Sequence, residues 1–178
     1  MKSNTALIAV LSGFLFILPG CSDKQAQSPV KAPPESQTAK QSSPEVLADL
    51  AKYTAAVNQA MRPWGTVDKL TDDLKKAKTA KAYAAKQRNE IAPLVSGVMI
   101  QMEAIKPATK EVQTIHAAFL ASIKEYLDGL QSMAAGVEKN DDAAVNAAAV
   151  KLNAFGPAHA KFVADTGALA NQNGVSTK

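Results

Sequence analysis

One long stretch of the chain decides its fold class, residues 107–138, PATKEVQTIHAAFLASIKEYLDGLQSMAAGVE. Large side chains recur along it at alternating intervals of four and three residues. This spacing places them on one face of an α-helix. The seam consists of Val112, His116, Phe119, Ile123, Tyr126, Leu130, Met133 and Val137. We therefore predict a long amphipathic helix that begins with Pro107 in its first turn and reaches about Glu138.

Two further helices are predicted before this stretch. Ser43 as N-cap and Pro44 in the first position mark the start of one helix, which ends at residues 62–65. The next helix covers about 66–106, and weak patterning over 77–85 indicates a break there. The seam residues are Val46, Leu50, Tyr53, Val57, Ala60 and Trp64 in the first helix and Ile91, Leu94, Val98, Met102 and Ile105 in the second.

A fourth helix is predicted after Asn140, which together with Asp141 and Asp142 supplies an N-cap and favourable charges. Its seam is Val145, Ala148, Leu152, Phe155, His159, Phe162 and Leu169. Pro93 and Pro157 each lack a backbone N–H, so we expect the second and fourth helices to kink or restart there. Short loops favour antiparallel neighbours. The prediction is an all-α fold, an up-down antiparallel four-helix bundle.

The N-terminus has the pattern of a secretion signal. Lys2 precedes the uncharged apolar run 6–18, which is shorter than the roughly 20 residues that span a bilayer. The run ends in Leu18-Pro19-Gly20-Cys21. This segment resembles the signal peptide of bacterial lipoproteins, in which an aliphatic residue, a small residue and a cysteine form the lipobox. The resemblance covers residues 1–21 and implies cleavage before Cys21 and acylation of its thiol and amine.

The resemblance also implies a location for the protein. Two or more acyl chains give stable membrane anchoring. Ser22, and not an aspartate, follows the cysteine. Under the sorting rule of Gram-negative lipoproteins this favours the periplasmic face of the outer membrane. The inner membrane and a Gram-positive cell membrane are the alternatives.

Composition separates the rest of the chain into a tether and a domain. Residues 22–43 are rich in Pro, Gln and Ser and contain one large aliphatic side chain, Val30, which is typical of a disordered segment. We therefore expect a signal peptide at 1–20, the acylated cysteine and tether at 21–43, a helical domain at 44–172 and a frayed tail at 173–178.

Composition also bears on which chemistries to expect. A single cysteine excludes a disulfide framework and a zinc site built on several thiolates, and two histidines disfavour a histidine-rich metal centre. A net charge of +4 is modest for a nucleic-acid-binding domain. The sequence contains no glycine-rich phosphate loop, no Gly-x-Ser-x-Gly and no His-Glu-x-x-His. We expect no enzymatic activity, no cofactor, no metal and no nucleic-acid partner.

One basic cluster interrupts the second predicted helix. Its members are Lys75, Lys76, Lys78, Lys81, Lys86 and Arg88. At 100° per residue they spread over more than half of the helix circumference, whereas a recognition stripe is narrower. A solvated, poorly packed segment is therefore favoured over a surface that binds anions.

Four side chains are candidate contacts for a ligand or a partner. Tyr53, His116 and His159 lie at similar heights in the predicted bundle and could form a buried polar layer that holds a ligand or metal. The alternative is that the histidines lie at the seam edge and bond to water or to one neighbour. Trp64, between Pro63 and Gly65, either caps the end of the bundle or anchors a partner.

Two functional hypotheses follow. The first is a lipid-anchored helical interaction or scaffold module of the cell envelope, in which the bundle presents a surface to an envelope protein or glycan. The alternative is a bundle that binds a small molecule or metal near Tyr53, His116 and His159. An interior cavity between Pro93 and Pro157 would favour the second hypothesis, and an exposed apolar patch would favour the first.

Overall fold

The computed structural model describes residues 43–173, and within that range it contains five helices and no strand. The first two helices are α1 Pro44–Ala60 and α2 Trp64–Leu74. The third helix is a composite of three consecutive segments, α3 Ala80–Lys86, a π-helical turn Gln87–Ile91 and α4 Ala92–Ala104. The last two helices are α5 Lys110–Lys139 and α6 Asp142–Gln172. The predicted all-α class is confirmed. The predicted signal peptide, Cys21, the tether up to residue 42 and the tail after residue 173 lie outside the described residues.

Helix α1 begins where the sequence predicts. The Ser43 side chain accepts a hydrogen bond from the Val46 amide at 3.5 Å, and Pro44 occupies the first turn, where its missing N–H is harmless. The predicted seam is buried at Val46, Leu50, Tyr53, Val57 and Ala60. Trp64, its last predicted member, is half-buried and begins α2.

The predicted count of four helices is wrong because the second predicted helix is two helices. Helix α2 ends at Leu74, and α3 begins after Thr79, whose hydroxyl accepts a hydrogen bond from the Ala82 amide at 3.1 Å. Residues 75–79 connect them, so the break lies slightly before the weakly patterned region. A segment of alanine and lysine offers the core no apolar stripe to bury, and helices of this length depend on such burial.

Helix α5 is the central helix, and its predicted seam is buried except at Tyr126, which is half-buried. It begins at Lys110, so the prediction that Pro107 lies in its first turn is wrong. Asp49 of α1 accepts hydrogen bonds from the amides of Ala108 and Thr109, at 3.0 and 2.8 Å, and from the Thr109 hydroxyl. Burial raises the pKa of Asp49, but these hydrogen bonds together lower it below its usual value.

Helices α5 and α6 form a tight hairpin. Asn140 adopts a left-handed conformation, φ 55°, and ends α5, whereas the Asp141 side chain caps α6 by accepting from the Ala144 amide at 3.0 Å. The prediction that Asn140 caps the last helix is therefore wrong. A Cβ atom at Gly136 would lie 3.1 Å from the Val145 backbone nitrogen, so the two helices approach closely.

Helix α6 is long but shallowly packed. Of its 31 residues, Ala148 and Leu169 are buried. It runs antiparallel to α1, because the Ser43 amide donates to Asn173 at one end, while Trp64 stacks on Phe155 further along. None of the helices described in residues 43–173 is long and apolar enough to cross a membrane.

The two prolines have different surroundings. Pro93 lies in the first turn of α4, directly after the π-helical turn, so the helix restarts there as expected. Pro157 lies inside α6, which continues as α-helix on both sides of it. A bend at Pro157 remains a prediction.

Candidate functional site

A cluster of aromatic rings joins α1, α2, α5 and α6, and we call it the aromatic cluster. It contains Tyr53, Trp64, His116, Phe119, Tyr126, Phe155, His159 and Phe162, which make ring contacts with one another at centroid distances from 4.1 to 6.4 Å. All four side chains singled out from the sequence belong to it. Large rings therefore fill the space between α6 and the helices α1 and α2.

Two stacked pairs form the centre of the aromatic cluster. Phe119 stacks on Phe162 at 4.1 Å, and Trp64 stacks on Phe155 at 4.5 Å. Tyr126 contacts both Trp64 and Phe155, at 5.5 and 5.1 Å. Trp64, Phe155 and Phe162 are only half-buried, and His159 is exposed. One side of the cluster thus reaches the surface of the protein.

The structure brings Tyr53 and His116 together, with ring centroids 5.6 Å apart at an interplanar angle of 85°. They are 2% and 9% exposed, and Tyr53 Oη and His116 Nδ1 are buried without a hydrogen-bond partner. Burial raises the pKa of Tyr53 above its usual range. Burial, and next the charge of Lys106, lowers the pKa of His116. Both side chains are therefore held in their neutral forms at neutral pH.

His159 does not join this buried pair. It is exposed, and its ring contacts Phe119, Phe155 and Phe162 at 5.9, 6.2 and 6.4 Å. Within residues 43–173, Phe119 and Phe162 separate it from the Tyr53–His116 pair. The predicted polar layer is thus a buried pair and one exposed imidazole, linked through phenylalanines.

Asp68 is a member of the site that the sequence analysis missed. It follows Trp64 by one helical turn, so both lie on the same face of α2. Burial and the neighbouring charge of Asp72 raise the pKa of Asp68, while the charge of His159 and a hydrogen bond from Trp64 act in the opposite direction. The sequence does place Asp68 four residues after the single tryptophan, and this spacing could have indicated that the two side chains share a helix face. The proximity of Asp68 to His159 depends on tertiary packing and has no counterpart in the local sequence.

A cleft of about 720 Å³ lies where α4 ends and α5 begins. It is lined by Glu103, Ile105, Lys106, Pro107, Gln113, His116, Ala117 and Leu120. The cleft is open to solvent over much of its surface, whereas small-molecule sites enclose most of their ligand. It lies at the far end of α4 from Pro93, so it does not occupy the predicted position between Pro93 and Pro157.

A buried polar side chain, Gln87, begins the π-helical turn. Gln87 is 1% exposed and donates a hydrogen bond to Tyr83 Oη at 3.4 Å, while its own Oε1 has no partner. Burial, together with the proximity of Tyr126, raises the pKa of Tyr83 to about 12. The π turn keeps Gln87, Ile91 and Ala92 all buried, which an α-helical register would not do as readily.

The basic cluster is largely paired. Lys75 and Lys76 bridge to Asp72 and Asp73, at 2.9 and 2.7 Å, on the exposed end of α2. Arg88 binds both carboxylate oxygens of Glu138 at 2.6 Å. These pairs neutralise much of the cluster, consistent with a solvated segment.

Within residues 43–173 no group of three histidine, cysteine, aspartate or glutamate side chains is placed to hold a metal ion. Comparison of the chain with protein-family models, curated proteins and solved structures found no match. The site must therefore be interpreted from its own chemistry.

Proposed function

We propose that this chain is a lipid-anchored helical interaction module on the periplasmic face of the outer membrane. The lipoprotein-like segment 1–21 supports the anchor, with Cys21 carrying the acyl chains and residues 22–43 acting as a tether. The helices, arranged as an up-down antiparallel bundle with α6 bent at Pro157, present a surface to an envelope protein or glycan.

The observation that carries the interaction role is the surface of α6. Val150 and Val163 are 70% and 56% exposed, and the rings of Phe155 and Phe162 are only half-buried. The charged residues of this 31-residue helix are Asp142, Lys151, Lys161 and Asp165. Partly exposed aromatic rings with few charges around them are typical of binding surfaces, where such rings supply most of the affinity.

Photo-crosslinking from α6 tests the surface. A benzoylphenylalanine placed at Val163 in the full acylated chain is expected to give a discrete crosslinked product in cells. The matched control is the same residue at Gln101, which is exposed on α4. Products of equal yield and size from both positions would show that α6 is not the binding face.

Replacement of Cys21 tests the anchor. Full-length Cys21→Ser should move from salt-washed membranes to the soluble periplasmic fraction, because one thiol and its amine carry all the predicted acyl chains. Density-gradient separation of the wild-type membranes distinguishes the outer from the inner membrane. Sedimentation of Cys21→Ser with the membranes, as for the wild type, would contradict lipid anchoring.

A second candidate function is supported by one specific observation, the unpartnered atoms of Tyr53 and His116. Buried polar atoms almost always have a hydrogen-bond partner. Since His116 also lines the 720 Å³ cleft, whereas Tyr53 does not, a small ligand bound there could supply the partner of His116 Nδ1. This favours a small molecule over a metal ion.

The sign of one stability change tests this alternative. If His116 Nδ1 has no partner in the purified protein, His116→Leu removes an unsatisfied buried nitrogen and raises the free energy of unfolding by about 1 kcal/mol. If a bound ligand satisfies it, His116→Leu lowers that free energy by a similar amount. Urea unfolding before and after extensive dialysis against detergent buffer separates the two cases.

A further inference from the structure

Two helices bring a tryptophan, a carboxylate and an imidazole to one surface. Trp64 and Asp68 lie one turn apart on α2, and His159 lies one turn after Phe155 on α6. Trp64 stacks on Phe155, and Asp68 is close enough to His159 for their charges to interact. We propose that Trp64, Asp68 and His159 form a binding site for a neutral glycan chain. This inference rests on the proposed envelope interaction role and names its partner.

The aromatic side of the site suits the apolar face of a pyranose ring. Trp64 is held by Phe155 at 4.5 Å and by Tyr126 at 5.5 Å, and it remains half-buried. Phe155 stacks on one face of this indole, and the part that stays exposed offers an apolar area that loses little further side-chain freedom on binding. The C–H groups on one face of a sugar ring can pack against such an area.

The polar side of the site suits sugar hydroxyls. Asp68 is exposed as a residue, yet part of its carboxyl group is shielded, and the nearby Asp72 disfavours its charged form further. Two neighbouring hydroxyls can both donate to one carboxylate, and hydrogen bonds to a charged acceptor are strong. His159 is exposed, and its ring nitrogens can form hydrogen bonds with further hydroxyls.

The charges of the site exclude other ligand classes. Phosphate or sulfate groups would be repelled by Asp68, the carboxylate of the site itself, whereas Asp72 is paired with Lys75. A purely apolar partner would bury the Asp68 carboxylate with Trp64 as its hydrogen-bond donor and its other acceptor positions unfilled, which is costly. A ligand that combines an apolar face with several neutral hydroxyl donors meets both requirements. A cationic peptide also supplies hydrogen-bond donors, and a titration with trilysine distinguishes it from a glycan.

Trp64 reports on its own site, because it is the only tryptophan in the chain. The full acylated protein in detergent micelles is titrated with chitotetraose and, separately, with maltotetraose, while the indole fluorescence is followed. We expect a saturable change in intensity or emission wavelength with at least one of these probes. No saturable change with either sugar up to millimolar concentrations would overturn the proposal.

Variants at exposed positions locate the site without threatening the fold. Asp68→Asn should weaken binding about tenfold, because a neutral amide replaces the charged acceptor. His159→Gln should weaken it by a smaller factor. The matched control is Asp72→Asn, one turn further along α2, which should leave the dissociation constant within about twofold. Equal effects of Asp68→Asn and Asp72→Asn would overturn the assignment of Asp68 as a contact.

A trilysine titration completes the experiment. If trilysine gives a saturable change and the sugars do not, the site binds a cationic partner and the glycan proposal is wrong. If neither sugar binds but membrane anchoring still depends on Cys21 and Val163 still gives its crosslink, then the glycan proposal is wrong. The proposed lipid-anchored interaction role is unaffected by that result. Sugar binding by a protein that does not require Cys21 for membrane association overturns the lipid anchor and leaves the glycan site standing.

Discussion

Gly136 shows how one residue sets the distance between α5 and α6. A Cβ atom there would lie 3.0 Å from Val145 Cγ2 and 3.1 Å from the Val145 backbone nitrogen. A backbone atom cannot yield as a flexible side chain can, so the hairpin must open. We expect Gly136→Ala to lower the free energy of unfolding by about 1–2 kcal/mol, measured by urea denaturation.

The matched control for this substitution is Gly97→Ala in α4. Gly97 has no atom within 4 Å of the position of an added Cβ. The alanine should therefore raise the free energy of unfolding by about 0.5–1 kcal/mol through its helix propensity. Stabilisation by both substitutions would show that α5 and α6 are less closely packed than this geometry implies.

His116 should make the stability of the domain depend on pH. Burial lowers its pKa in the folded state, with Lys106 adding to the effect, so the unfolded chain binds the proton more readily. The contribution of His116 is then complete above the unfolded pKa, near 6.5, and is lost as pH falls toward the folded pKa. The groups around it are Tyr53 from α1 and the cleft residues Glu103 and Lys106.

Urea unfolding at pH 7.5 and pH 5.5 measures this dependence. The wild-type protein should lose stability between the two conditions, and His116→Gln should lose less. Titration of the His116 ring proton by NMR provides the second measurement. A pH dependence of stability that is unchanged in His116→Gln would assign it to other groups.

At the scale of elements, the two prolines provide a direct comparison. Pro157 lies inside α6, where it removes the hydrogen bond to the Asn153 carbonyl. Pro93 lies in the first turn of α4, directly after the π-helical turn, where the Ala92 amide already donates to the carbonyl of Gln87 five residues back. Pro157→Ala should raise the free energy of unfolding by about 1–3 kcal/mol, and Pro93→Ala should raise it less because the π turn accommodates the ring. Equal gains in thermal unfolding experiments would contradict this difference.

The sequence predicts an element well when apolar spacing is regular and the element is fully enclosed. The seams of α1 and α5 are examples, since nearly all their predicted members are buried. In α6 the same spacing overestimates burial, because seam members such as Phe155 and Phe162 are only half-buried. The alanine- and lysine-rich region 75–85 has no seam at all, so the division into α2 and α3 could be located only approximately.

The candidate site was predictable in its ring-bearing members, whereas Asp68 and the arrangement of the site were not. Tyr53, Trp64, His116 and His159 stand out as polar or large rings at seam positions, and all belong to the aromatic cluster. Their separation into a buried pair and a surface group depends on which rings lie between them, namely Phe119 and Phe162. Such tertiary neighbours leave no local pattern in the sequence.

At the scale of the whole molecule, we propose an anchor, a tether and a folded domain. Limited proteolysis tests whether the tether is cleaved before the folded domain. Trypsin can cut after Lys24, Lys31 and Lys40 in the predicted tether, and after Lys75, Lys76 and Lys78 between α2 and α3. Residues in folded helices resist cleavage until they open, whereas a disordered segment needs no opening.

We expect the first stable product of the full chain to begin at residue 41, identified by mass spectrometry. Cleavage between residues 75 and 79 should follow more slowly, because Lys75 and Lys76 are tied to the end of α2 and the neighbouring helices pack into the same core. The core that α1 and α2 share with α4 and α5, together with the hydrogen bonds from Ala108 and Thr109 to Asp49, should retain both fragments together under native conditions. A first cut within 75–79 would show instead that the α2–α3 connection opens more readily than the tether, and the division of the chain at residue 43 would then be wrong.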